Sequence, residues 1–266
     1  MNPVICSNNN VFAANINSAK LSDQFCSCPA AKKMIEALAA KMQVILEQGP
    51  FPNPRLIVRG DPDETARIAH ILIPQESKEK KRIQVLSHLT FELFNAKNTP
   101  EFESLVKRAD RGEVALAEYA SSTEKIEHQA HAGRNRIFSQ CAKTWNLEGD
   151  PLLEKFRGKP VSFETYLFET ETSCHTDSIR KRWIENYQKQ RCKKYPEDTV
   201  SCTARKADLC DYSQVQAMPK ARKDAFIHER TCSFFSNLLP GSSPEENETV
   251  VEAMKEQGCP TPHFEL

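Results

Sequence analysis

Over residues 29–48 the apolar positions Met34, Ile35, Leu38, Met42, Ile45 and Leu46 recur at helical spacing, with Lys and Glu on the other faces. That pattern predicts an amphipathic helix. The run Gly49-Pro50-Phe51-Pro52-Asn53-Pro54 stops it, because proline removes amide donors and glycine favours turns. Arg55–Arg59 then reads as a short strand, Gly60-Asp61-Pro62-Asp63 as a turn, and residues 66–73 as a second strand ending at Pro74. Residues 77–96 form the next predicted helix. Its second half, from Val85 to Asn95, is apolar on nearly every side, the signature of a central and buried helix. A short amphipathic helix over 101–110 breaks at Arg111-Gly112, and a long helix over 113–145 follows.

Beyond a boundary between Trp145 and Pro151 the chain reads as helices over 178–193, 221–238 and 245–257, joined by irregular loops. The pattern thus predicts an α+β fold dominated by helices. A flexible leader (1–28) precedes an α+β core (29–148), in which a small sheet packs on the central helix. A mainly helical, cysteine-bearing region (149–266) completes it.

Composition narrows the function. The 266 residues carry 36 Lys+Arg against 36 Asp+Glu, and this balance leaves no basic footprint for nucleic acid. No apolar run reaches the roughly 18 residues that a membrane helix needs. Phosphate-cradling glycine motifs are absent among the 8 glycines. The ten cysteines lack the two-to-four-residue ligand spacing of a zinc knuckle. Two readings stay open for them: small buried hydrophobes, or disulfides among the six at Cys174, Cys192, Cys202, Cys210, Cys232 and Cys259. The Asn/Ser-rich first 25 residues lack the basic start and apolar core of a secretory signal peptide. They resemble the unstructured N-terminal signals of bacterial type III secretion substrates. The expected location is bacterial cytoplasm or export by a signal-peptide-independent route.

One constellation carries chemistry. Glu92 lies between Phe91 and Leu93 inside the greasy helix, where an unpaired carboxylate costs several kcal/mol. At 100° per residue His88 and Asn95 flank it, so the three make one polar stripe. Such a stripe is either a functional site or a core triad in which Glu92 bonds His88 or Asn95.

The order helix, strand, strand, central helix, long helix resembles the core of the zinc peptidases called zincins, of the gluzincin class. Their HExxH motif holds zinc through two His and activates water through the Glu. Here the matching segment is Phe91-Glu92-Leu93-Phe94-Asn95. The resemblance makes Glu92 a vestigial general base, with both ligand positions changed to Phe91 and Asn95. It implies a third-ligand position on the long helix, where Glu118, Glu124 and Glu127 stand. Neither Phe nor Asn replaces imidazole, so no bound metal or other cofactor is expected. The reading is a pseudoenzyme that works through protein partners, in the manner of a secreted bacterial effector.

Two alternatives come from other classes. One is an active metal-dependent hydrolase or peptidase, with zinc held by His88, Glu92 and the i, i+4 pairs Glu124/His128 and Glu127/His131. The other is a disulfide-stabilised binding module. Lesser candidates are a nucleophile at Cys141 or Cys174 beside His175, the basic run from Ser178 to Trp183 facing an acidic partner, and the C-terminal peptide Phe264-Glu265-Leu266.

Overall fold

A computed structural model of the chain describes residues 10–60, 67–78, 80–238 and 244–260. The fold is α+β and predominantly helical. It divides into two compact units. The first comprises Met1–Lys107 and Lys125–Val161, the second Arg108–Glu124 and Ser162–Leu266.

The first unit holds the sheet, built from β1 (Val11–Ala13), β2 (Gln43–Gly49), β3 (Arg55–Arg59) and β4 (Ile68–Pro74) in the order β1-β2-β4-β3. β1, β2 and β4 are parallel. β3 closes one side antiparallel to β4, with Arg55 opposite Leu72 and Arg59 opposite Ile68. Side chains alternate in burial along β2 and β4, as the two-residue period of a strand requires. Val44, Leu46, Ala69, Ile71 and Ile73 form the covered face. Helices α1 (Ile16–Cys26), α2 (Pro29–Ala39) and α3 (Arg82–Lys97) supply Phe25, Ile35, Leu86, Leu89 and Leu93 to the same apolar cluster. α4 (Thr99–Asp110), α5 (Leu116–Cys141) and α6 (Leu153–Arg157) follow; α4 and α5 each span a boundary between the units. Phe138 and Trp145 complete the cluster, Trp145 donating Nε1–H to the Phe25 carbonyl at 3.3 Å. A Cys28–Cys141 disulfide ties the start of α2 to the end of α5.

Three expectations are corrected here. The helix expected over 29–48 ends at Ala39, and its last third is the strand β2. The run Val44-Ile45-Leu46 is apolar throughout and fits either period, and pairing with both β1 and β4 decides for the strand. The leader is not flexible over its described part, because residues 11–26 form β1 and α1. Its asparagines do structural work there. Asn15 caps α1 by accepting from the Ser18 amide at 2.9 Å and donates to the Gln48 carbonyl at 2.8 Å, while Asn10 donates to the Ala39 carbonyl at 3.0 Å. The expected break at 148/149 also moves, since the first unit runs on to Val161.

The second unit is helical. It contains α7 (Phe163–Thr172), α8 (His175–Asn186), α9 (Gln188–Lys194), α10 (Thr199–Thr203), a 3-10 turn at Lys206–Asp208, α11 (Tyr212–Ala217), α12 (Lys220–Leu238) and α13 (Pro244–Glu256). The helix expected over 178–193 is two helices meeting at Tyr187. Disulfides Cys174–Cys210, Cys192–Cys202 and Cys232–Cys259 cross-link the unit. Buried Asp177 accepts from Arg180 at 2.9 Å, from Arg230 at 3.2 Å and from the Cys210 amide at 3.2 Å, joining α8, α12 and the approach to α11. Among the described residues no helix is long and apolar enough to cross a membrane.

Candidate functional site

α3 is sunk into the first unit, with Ile83, Val85, Leu86, Leu89, Leu93 and Ala96 all buried. Three residues point it at the later part of α5. The Phe91 ring lies 4.4 Å from that of His131, centroid to centroid. Phe94 faces Gly133 so closely that a Cβ on Gly133 would come within 2.5 Å of the ring. Asn98 donates to the Ile126 carbonyl at 3.3 Å. Gly133 therefore sets the approach of the two helices.

The polar stripe lies beside this contact. Glu92 is buried and accepts one long hydrogen bond, from Asn95 Nδ2 at 3.4 Å. Burial pushes its carboxyl up to about 7; the Asn95 bond opposes this and nearby Glu127 adds to it. His88 moves the other way. Burial, with Lys80 and Arg134 nearby, lowers its imidazole to about 4, so it is neutral at physiological pH. His88 Nδ1 and Asn95 Oδ1 are buried and have no hydrogen-bond partner among the described residues.

These residues do not fit the zinc that the resemblance implies. The first ligand position is Phe91, stacked on His131. The second is Asn95, whose Nδ2 donates to Glu92 and whose amide oxygen is a poor zinc ligand. His128, offered as a replacement ligand, meets the Val161 carbonyl through Nε2 at 2.8 Å. Among the described residues no set of three ligating atoms within 4.8 Å includes His88, Glu92, His128 or His131. What the stripe can do is hold a proton: a carboxyl half-ionised near neutrality beside a neutral imidazole.

Glu118 is exposed and pairs with Arg108 at 2.7 Å. Glu127 is half-buried and acts on Glu92 through its charge. Glu124 is fully buried in the second unit. Its Oε1 accepts from His175 Nδ1 at 2.9 Å and from the Thr176 hydroxyl at 2.8 Å, while Oε2 is buried without a partner among the described residues. His175 opens α8 directly after Cys174, which adopts a left-handed conformation with φ 65° and is held by Cys210. The cysteine-nucleophile reading fails, because Cys141 and Cys174 are both in disulfides. The basic run is partly spent, since Arg180 pairs with Glu171 and Asp177 while Trp183 is fully buried. Phe264-Glu265-Leu266 lies outside the described residues.

Sequence reasoning missed His175 as the partner of Glu124. The two are 51 positions apart, and nothing in the local pattern of either announces the other. No protein-family model, no curated protein and no solved structure matches this chain.

Proposed function

We propose that the chain is a non-catalytic, zincin-like scaffold that acts through contacts with a protein partner. The observation that carries this reading is the closure of the Glu92 site. The carboxyl is buried and bonded to Asn95, and the ligand positions beside it hold a stacked phenyl ring and an amide. A metallopeptidase needs an open metal position beside its general base. The element order also supports the reading, with an antiparallel strand at the sheet's edge and the buried Glu-bearing helix after the last parallel strand.

The edge strand β3 offers a means of contact. Its outer side faces no strand among the described residues, and it presents exposed Arg55 and Arg59 around Leu56, Ile57 and Val58. An extended, acidic segment of a partner could add to it as a further strand. The disulfides favour the related reading of a stapled binding module. Every cysteine among the described residues is bonded, which supports folding in an oxidising compartment and hence export.

Metal analysis and a peptidase assay of the oxidised, full-length protein test the proposal. The expected result is less than stoichiometric zinc and no chelator-sensitive cleavage of unfolded protein substrates. One equivalent of tightly held zinc, lost on Glu92→Ala, overturns it and restores the hydrolase.

A further inference from the structure

Cys232 on α12 is joined to Cys259, just beyond α13, with their Cα atoms 5.2 Å apart. His228 stands one turn before Cys232 on the same helix, with Nε2 3.8 Å from the Cys232 sulfur. The chain returns to α12 through Gly258, whose φ of 69° is a left-handed conformation that glycine adopts without strain. The space where a Cβ on Gly258 would stand lies 3.9 Å from His228 Cε1, so the ring rests against the turn that delivers Cys259. His228, Cys232 and Cys259 each offer a ligating atom, and these lie within 4.8 Å of one another.

The cluster of Cys174, Asp177 and Cys210 meets the same distance test but is already committed. Asp177 is held by Arg180, Arg230 and the Cys210 amide, and Cys174 is fully buried. At the Cys232 corner the imidazole is exposed and Cys232 half-buried, so a small thiol can reach the bond. One nitrogen and two sulfurs form a soft donor set suited to zinc in a tetrahedral site.

We propose that opening the Cys232–Cys259 bond converts this corner into a zinc site formed by His228, Cys232 and Cys259, with the fourth position left to solvent. A dithiol reductant supplies two electrons and two protons. The S–S bond breaks, two thiols form, and the reductant leaves as its own disulfide. Zinc then binds the two thiolates and the neutral imidazole, releasing the two thiol protons to solvent. The corner thereby exchanges a covalent staple for a metal staple between α12 and the turn after α13.

The test uses full-length protein, opened partially with a water-soluble phosphine that does not compete for metal. Peptide mapping identifies the fraction in which only Cys232–Cys259 is broken. Cobalt(II) added to that fraction should show the d–d and thiolate charge-transfer bands of a tetrahedral site at one equivalent, displaced by zinc. His228→Ala should weaken zinc binding by about tenfold or more. Oxidised protein and the Cys232→Ser/Cys259→Ser double variant should show no such bands. A second variant covers the case in which reduction loosens the corner: Cys259→His cannot form the bond, keeps three donors, and should take zinc after Cys232 alone is kept reduced. Absence of cobalt bands in the opened protein together with no zinc uptake by Cys259→His overturns the proposal. So does undiminished binding in His228→Ala.

Discussion

The two units solve the same problem with different means. In the first, a sheet and the helices α1, α2, α3 and α5 bury one extended apolar cluster running from Val11 to Phe156, with the Cys28–Cys141 disulfide inside it and Cys26 also bonded. In the second, α9, α10 and α11 have 7, 5 and 6 residues, too short to hold helical structure by themselves. Three disulfides, closing separations of 36, 10 and 27 residues, and the charged knot at Asp177 do there what apolar burial does in the first unit. Small helical pieces bury too little apolar surface to offset their ordering entropy, so covalent and polar cross-links carry more of the stability.

The largest test of this contrast is removal of Cys174–Cys210 by a double alanine substitution. Loop-closure entropy for 36 residues is worth about 4 kcal/mol, and the bond also pins the left-handed turn that starts α8. Hydrogen exchange should accelerate across α8 and α11 while β2, β4 and α3 keep their protection. Equal acceleration in both units would show that the sheet-bearing unit draws its stability from the same cross-link, and the contrast would fail.

A smaller effect probes close fit in the first unit. Gly133→Ala places a Cβ within 2.5 Å of the Phe94 ring. In a helix this change is otherwise favourable by roughly 1 kcal/mol. Here overpacking should dominate and lower stability by about 2 kcal/mol. Gly149, with open space where its Cβ would stand but φ of 87°, is the matched control: its alanine variant tests backbone strain without steric contact. Denaturant unfolding of both variants separates the two causes. A stabilised Gly133→Ala would show that α3 and α5 have slack between them.

How much of this was legible follows from the range of each interaction. β3 was readable to the residue, because Arg-Leu-Ile-Val-Arg is bounded by proline and glycine turns. The helices near 82–97, 220–238 and 244–256 were visible from period and breakers. β2 was not, since its apolar residues fit either period until two neighbouring strands are known. β1 was hidden because three residues carry no periodicity. In the site, the His88, Glu92 and Asn95 stripe was fixed by helix geometry, and the Glu92–Asn95 bond is the one such geometry allows at i, i+3. The Phe91–His131 stack and the Glu124–His175 pair depend on how distant segments meet, which no local spacing encodes.

The smallest effect sharpens the contrast by pH, because both strongly shifted groups of the stripe sit in the first unit. Glu92 is raised from 4.5 to about 7. Folding therefore holds its proton more tightly, and this contribution is full below pH 4.5 and lost as pH rises through about 7. His88 is lowered from 6.5 to about 4, so its contribution is full above pH 6.5 and lost as pH falls through about 4. Between pH 5 and 6.5 the slopes have opposite signs and similar size, and wild-type stability of the first unit should be nearly flat. Removing either group uncovers the other. Glu92→Gln should make stability rise by about 1–2 kcal/mol across that window, and His88→Gln should make it fall by a similar amount. Both are read from denaturation midpoints with a probe in α3. Slopes of the same sign in the two variants would show that the pH dependence does not arise from these two groups, and the assignment would fail.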